Sequence, residues 1–154
     1  MIKIIQITQQ KLKKKITNDI LRSLPKWFSI EKAIVDYSNS VKDQIFFVVY
    51  DKEKPIGFIS TKLNNQFTAE INVMGILEEY QSKGLGKKLL KAIELYLKKQ
   101  KIKFLMVKTL SSKKKDKFYE KTRQFYLAAG FYPLIETEKE WGKENPCLIL
   151  VKAI

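Results

Sequence analysis

The spacing of apolar residues along the chain predicts alternating strands and helices. Residues 1–8 alternate weakly between apolar and polar positions, which is typical of a strand. The run from Ile45 to Tyr50 is continuously apolar, as expected for a central strand buried on both faces. The other predicted strands cover residues 55–63, 67–77, 102–110, 131–137 and 147–154.

Elsewhere the apolar positions recur at the spacing of an amphipathic helix. The clearest case begins at Leu85 and continues to about Gln100, with apolar residues every three to four positions. Pro25 is predicted to end an earlier helix, and Gly130 a later one. The N-caps predicted for the other three helices are Thr17–Asp19, Ser29 and Ser111–Ser112.

Composition excludes several kinds of site. The 154 residues contain no His and one Cys, so a Ser-His-Asp triad, a Cys-His dyad, His-ligated zinc and a multi-Cys metal cluster are all excluded. We therefore expect no metal.

The length predicts one domain over residues 1–154. No apolar window is long enough for a membrane span and the N-terminus lacks a signal-peptide core, so we expect a cytoplasmic protein without membrane contact.

The chain is strongly basic, with a formal net charge of +14. Such a charge is compatible with binding nucleic acid, an anionic membrane or a polyanionic small ligand. Only Arg22 and Arg123 are arginines, and every other basic residue is a lysine. Because Arg is the preferred reader of base edges, we expect nucleic acid not to be the partner. A solvated lysine surface is the simplest interpretation.

The segment Gln81 to Lys88 carries the most chemical information. A strand ends, two glycines follow at Gly84 and Gly86, and a helix begins at once. Exposed N–H groups at a helix start attract anions, and we expect both glycines to allow a close approach of the ligand and a positive φ. The segment does not fit a P-loop, because Gln81 stands at the first glycine position. It does not fit a dinucleotide fingerprint either, because Leu89 replaces the third glycine.

These residues resemble the GNAT family of N-acetyltransferases. The pattern Gln-x-x-Gly-x-Gly at 81–86 is similar to the acyl-CoA loop of that family. The preceding strand ends in Met74-Gly75-Ile76 at the family's spacing, and the later helix ends in Tyr126-Leu-Ala-Ala-Gly-Phe. The order of elements matches over essentially the whole chain. The resemblance implies an α/β (α+β) fold with a mixed, mostly antiparallel sheet of six to seven strands and about four helices.

The resemblance also implies acetyl-CoA as co-substrate. In the family the CoA pyrophosphate lies on the N–H groups of the loop, and the pantetheine arm pairs with the preceding strand. At Gly75 we expect a bulge that frees N–H groups for the thioester oxygen. The cofactor-binding residues implied are Met74, Gly75, Ile76, Gln81, Ser82, Lys83, Gly84, Leu85, Gly86 and Lys87.

Two catalytic residues follow from the same resemblance. Tyr126 matches the tyrosine that protonates the departing thiolate, although spacing alone also fits a core aromatic. Glu70 stands where one branch of the family places a glutamate base, and a strand carboxylate paired with a lysine is the alternative. Many members carry an Asn seven residues before the tyrosine, where this chain has Tyr119.

The function implied is transfer of an acetyl group from acetyl-CoA directly to a primary amine, within a ternary complex. One alternative is a non-catalytic basic module that binds nucleic acid phosphates. Another is a regulator that binds CoA without turnover. The sequence leaves open which small-molecule or peptide amine is the acceptor, whether Glu70 or a water chain is the base, and whether the chain forms a homodimer.

Overall fold

The computed structural model describes all 154 residues, whose strands form one mixed sheet of seven. The strand order across the sheet is β1-β2-β3-β4-β5-β7-β6. The strands are β1 (Ile2–Gln6), β2 (Ile45–Asp51), β3 (Lys54–Leu63), β4 (Thr68–Ile76), β5 (Phe104–Leu110), β6 (Tyr132–Thr137) and β7 (Cys147–Ala153). The helices are α1 (Gln10–Arg22), α2 (Glu31–Ser40), α3 (Leu85–Lys99) and α4 (Lys117–Ala128). Short 3-10 turns lie at Val41–Asp43 and Glu78–Tyr80.

The predicted sheet is confirmed in type and in strand number. Every neighbouring pair of strands is antiparallel except β4 and β5, which are parallel. Parallel neighbours need a crossover connection, and α3 supplies it. No helix combines the length and apolar character needed to cross a bilayer.

The core lies on both faces of the sheet. Adjacent residues of β4 point to opposite faces. A Cβ at Gly75 would meet Ile20 of α1 and Leu24 just after that helix, whereas the Met74 side chain reaches α3 at Gly86. Helices α1 and α3 therefore cover opposite faces, and both of them contact β3 and β4.

The predicted start of α1 is wrong. The helix begins at Gln10, and its N-cap Gln9 makes no side-chain hydrogen bond. Thr17, expected to cap it, is fully buried in the middle of the helix. The error arises because lysines occupy most of the first two turns. One of them, Lys13, is buried and donates from Nζ to the carbonyl oxygens of Lys42 and Gln44, at 3.2 and 2.6 Å.

The N-caps predicted for α2 and α4 are also wrong. The N-cap of α2 is Ile30, which makes no side-chain hydrogen bond, so Ser29 caps nothing. The N-cap of α4 is Asp116, whose carboxylate accepts the N–H groups of Phe118 and Tyr119. Ser111 precedes that helix by a whole turn and instead hydrogen-bonds Glu136. The Asp116 cap places the first turn of α4 beside the end of β4.

Candidate active site at the splayed end of β4

Strands β4 and β5 separate halfway along their length. Their parallel pairing runs from Thr68 with Phe104 to Ile71 with Val107 and then stops. Beyond that point β5 continues against β7 alone, and β4 continues against β3 alone. The last five residues of β4 therefore have a free backbone edge, as an extended ligand requires.

The irregularity in β4 lies at Asn72 and not at Gly75, so the predicted bulge at Gly75 is wrong. Ile71 pairs with Thr61 and Val73 with Ser60, which leaves Asn72 as the extra residue. The Leu77 N–H donates to Ile56, so alternation along the antiparallel pair turns the backbone groups of Met74 and Ile76 toward the free edge. Gly75 is a glycine because α1 packs directly on it.

The loop before α3 has a run of unpaired backbone donors. Gln81 N–H donates to Glu78, and the next backbone donor with a protein acceptor is Lys88, which donates to Gly84. The six N–H groups of residues 82–87 make no hydrogen bond within the protein. The first turn of α3 contains no acidic residue. A helix start with free N–H groups and no carboxylate binds anions.

The two glycines of the loop have different roles. Gly84 is the N-cap of α3 with φ 79°, and nothing lies within 4 Å of where its Cβ would be. It is needed for its backbone conformation, as predicted. Gly86 is inside the helix, where a Cβ would come within 3.1 Å of Phe125 and 3.3 Å of Met74. The expectation of a positive φ at Gly86 is wrong, since close packing explains that glycine.

Gln81 fixes the loop to the strand. Its side-chain Nε2 donates to the Ile76 carbonyl oxygen at 2.9 Å, and so ties the loop to the free edge of β4. Just before it, the Tyr80 hydroxyl donates to Asp51 at 2.8 Å and anchors the turn to β2. Gln81 was predicted to contact the ligand, and the structure adds this positioning contact, which the sequence pattern did not reveal.

A cleft of about 360 Å³ lies between the free edge, the loop, α4 and the end of α1. Tyr126 lines the cleft, and so does every predicted cofactor-binding residue except Lys83. The Lys83 ammonium lies 5.6 Å from the centre of the Tyr80 ring, at the outside of the loop. Glu70 does not line the cleft. The remaining lining residues are Leu24, Trp27, Phe28, Tyr80, Phe118, Tyr119, Lys121, Thr122 and Phe125.

Tyr126 is a buried aromatic with its hydroxyl beside β4. Its ring packs edge-on against Phe125 and Phe131, with centroid separations of 5.1 and 5.3 Å. The hydroxyl lies 3.9 Å from Met74 Sδ, a weak acceptor, and makes no stronger hydrogen bond. Burial raises the pKa of Tyr126, so the hydroxyl remains protonated across the usual pH range. The side chain combines a core position with a protonated hydroxyl that has no strong acceptor.

Tyr119 closes the cleft on the side of the α1–α2 connection, a role that the sequence did not reveal. Its hydroxyl donates to the Trp27 carbonyl oxygen at 2.9 Å, and so joins α4 to the segment after α1. Burial, followed by the nearby Tyr37 and Asp116, raises the pKa of Tyr119 to about 12. The departure from the family's Asn therefore supplies a structural bridge between two elements.

Glu70 lies on β4 before the splay, on the face opposite Met74. It is buried, and its Oε1 accepts a hydrogen bond from Asn64 at 3.0 Å. Its Oε2 lies 3.7 Å from the Lys108 ammonium and 3.9 Å from that of Lys62. Burial raises the pKa of Tyr37 on α2, and the Glu70 carboxylate adds to that increase. Glu70 is thus a buried, partnered carboxylate that faces α2.

The remaining chemically reactive groups lie away from the cleft. Cys147 is buried at the start of β7, and burial raises the pKa of its thiol. No group of three or more His, Cys, Asp or Glu side chains is placed to share a metal ion.

Comparison with known proteins agrees with this geometry. The model of the acetyltransferase (GNAT) family matches residues 14–125. A search of curated protein sequences finds no match. Among solved structures, a GNAT-family protein from Desulfovibrio desulfuricans superposes with a TM-score of 0.84 at 14% identity, over 99% of each chain.

Two further solved structures resemble the chain over nearly its whole length. A GNAT acetyltransferase from Elizabethkingia anophelis, solved with acetyl-CoA bound, has a TM-score of 0.74 at 20% identity, over 99% of this chain and 98% of that one. The ribosomal-protein-S18-alanine N-acetyltransferase from Escherichia coli has a TM-score of 0.78 at 18% identity, over 100% and 94%. At such identities the likeness shows the fold. Since the family model covers well over half of the residues, the chain belongs to the GNAT family of acetyltransferases.

Proposed function

We propose that residues 1–154 form one domain that transfers an acetyl group from acetyl-CoA to a primary amine. The observation that supports this most is the run of six unpaired N–H groups at residues 82–87, which opens into the cleft lined by Tyr126. An acyl-CoA has a pyrophosphate for such a run of donors and an extended arm for a free strand edge. The acetyl-CoA bound in the Elizabethkingia anophelis neighbour supports the same co-substrate.

Three features of the cleft support acetyl-CoA as its ligand. The space beside Gly84 is open, so a phosphate can approach the backbone there. Lys87 lines the cleft and adds a positive charge beside the free N–H groups. Met74 and Ile76 turn their backbone groups toward the free edge, where an amide-containing arm can pair with them. Lysines at 83–91 and 113–117 add further attraction for the CoA phosphates.

In the proposed reaction the amine nitrogen bonds to the thioester carbonyl carbon, the carbon–sulfur bond breaks, and the CoA thiolate takes a proton. We assign the donation of that proton to Tyr126, which lines the cleft and whose hydroxyl has no strong acceptor. A backbone N–H at the free edge of β4 donates to the carbonyl oxygen as negative charge develops. Much of the rate comes from holding the two reactants in position.

The amine must also lose a proton before it attacks. We propose Glu70 as the acceptor of that proton. Since Glu70 does not line the cleft, the proton would reach its carboxylate through intervening water. Its hydrogen bond from Asn64 and the two lysines nearby hold the carboxylate in one place.

Replacing Gly84 tests the anion site. Gly84→Ala forces a side chain into φ 79° without a clash and costs about 1 kcal/mol of backbone strain. If the free loop relieves this strain of about 1 kcal/mol by leaving the conformation that binds the ligand, calorimetry should show acetyl-CoA binding about fivefold weaker. Gly142→Ala is the matched control, since it has φ 87°, the same open space and a position in the β6–β7 connection. Equal affinity in the two variants would argue against the loop as the phosphate site.

Removing the Tyr126 hydroxyl tests the general acid. Tyr126→Phe keeps the packing against Phe125 and Phe131, and we expect kcat to fall about 10²-fold with little change in the KM for acetyl-CoA. Because burial raises the pKa of Tyr126, loss of its proton should not lower the wild-type rate at mildly alkaline pH. The control is Tyr132→Phe on the exposed face of β6, which should keep full activity. An active Tyr126→Phe enzyme would reduce Tyr126 to a packing residue.

Neutralising Glu70 tests the base. Glu70→Gln keeps the shape and the Asn64 contact, and we expect kcat/KM to fall about tenfold at pH 7. The deficit should shrink toward pH 10, where the free amine is already deprotonated. Thiol release measured across the pH range provides the profile, with Glu53→Gln in the β2–β3 turn as control. A pH profile that keeps the wild-type shape while the melting temperature falls would assign Glu70 a purely structural role.

A further inference from the structure

We propose that the acceptor is a primary amine attached to an aromatic group, with no second positive charge. This inference rests on the acetyltransferase function proposed above and names the substrate class of the same cleft. It is drawn from the aromatic wall of the cleft, formed by Trp27, Phe28, Phe118 and Tyr119, and from the charges around that wall.

The aromatic wall is built from side chains of two elements. Trp27 and Phe28 come from the connection after α1, and Phe118 and Tyr119 come from the first turn of α4. All four are half-buried, so they expose ring surface to the cleft. The Trp27 and Phe118 rings meet edge-on at 5.2 Å, and the Tyr119 hydroxyl holds the Trp27 backbone.

The wall is rigid because both ends of it are fixed. The Asp116 cap accepts the N–H groups of Phe118 and Tyr119, and Phe28 packs edge-on against Tyr37 at 6.1 Å. A preformed aromatic surface binds a flat apolar ligand group with a small entropic cost. Aromatic rings prefer the edge-to-face and offset contacts that such a wall offers.

The charges around the cleft disfavour a polyamine. No carboxylate is among the lining residues, whereas Lys87 and Lys121 are. Two more ammonium groups, of Lys26 and Lys117, lie 5.4 and 5.3 Å from the centre of the Phe118 ring. The carboxylate of Glu78 is already paired with Lys26 at 2.6 Å. Each extra positive charge on an acceptor would therefore find no carboxylate on the cleft lining to pair with.

The two parts of the cleft divide between the two substrates. The loop of residues 82–87 and the free edge of β4 supply backbone donors, which suit the phosphates and amides of CoA. The aromatic wall supplies mainly ring surface. The Tyr119 hydroxyl is already engaged, which leaves the Trp27 indole N–H as the donor on this wall. Tyr126 lines the same cleft and belongs to α4, as does half of the wall, so the aromatic wall can hold an acceptor close to it.

The test compares three amines, by thiol release from acetyl-CoA and by calorimetric binding to the protein saturated with CoA. The probes are 2-phenylethylamine, butylamine with the same amine and no ring, and spermidine with three positive charges. We expect 2-phenylethylamine to exceed butylamine about tenfold in kcat/KM and to bind more tightly than spermidine.

Variants of the wall separate ring contact from general damage. Trp27→Leu and Phe118→Leu should each raise the KM for 2-phenylethylamine about tenfold, with little change in the KM for butylamine. Phe67→Leu removes an exposed aromatic at the opposite end of β4 and should change neither value. Two wall variants are used so that a fold defect in one, detected as a lowered melting temperature, leaves the other informative.

The outcomes distinguish this inference from the proposed function. A higher kcat/KM with spermidine than with 2-phenylethylamine, or equal kcat/KM values for 2-phenylethylamine and butylamine, overturns the aromatic acceptor. Either result leaves the proposed acetyltransferase function standing. Selective calorimetric binding of 2-phenylethylamine, with no thiol released from acetyl-CoA in the presence of any of the amines, supports the aromatic wall and overturns the proposed transfer. If 2-phenylethylamine is neither bound nor acetylated, the inference is overturned.

Discussion

The arrangement of the cleft depends on the early end of the pairing between β4 and β5. Their parallel ladder stops at Ile71 and Val107, although both strands continue. A sheet normally satisfies its backbone groups strand by strand, so a separation of this kind leaves donors and acceptors to be used by something else. Antiparallel pairing on the outer side of each strand keeps both of them in place, and the opening between them costs only the missing ladder.

The elements around this opening are positioned by contacts that would be unnecessary in an ordinary sheet. The Gln81 side chain satisfies the carbonyl of Ile76, and Gly75 allows α1 to pack on one face of β4. On the other face, Gly86 allows α3 to approach Met74 and Phe125. The start of α3, the free edge of β4 and Tyr126 therefore line a common cleft. The proposed binding of acetyl-CoA and the proposed proton donation both depend on this close packing of three elements.

Much of the fold could be predicted because the apolar run of β2 and the helical periodicity of α3 are clear in the sequence. The candidate anion site could be proposed for a different reason, since a strand, two glycines and a helix follow one another directly. The start of α1 was not visible, because Lys13 is buried through hydrogen bonds made by residues about 30 positions away. The bulge at Asn72 depends on the register with β3, and the bridge from Tyr119 to Trp27 joins residues far apart in sequence. Contacts of these kinds depend on tertiary structure, which the local spacing of residues does not predict.

Direct measurement of acetyl-CoA binding tests whether the free N–H groups at residues 82–87 hold an acyl-CoA. Calorimetry at two salt concentrations, with a short DNA duplex as comparator, separates that site from the general attraction of a chain with net charge +14. This assignment predicts one acetyl-CoA per chain with a micromolar dissociation constant that persists at the higher salt, and weak DNA binding that salt abolishes. An absence of acetyl-CoA binding, or DNA binding tighter than acetyl-CoA binding at both salt concentrations, would contradict it.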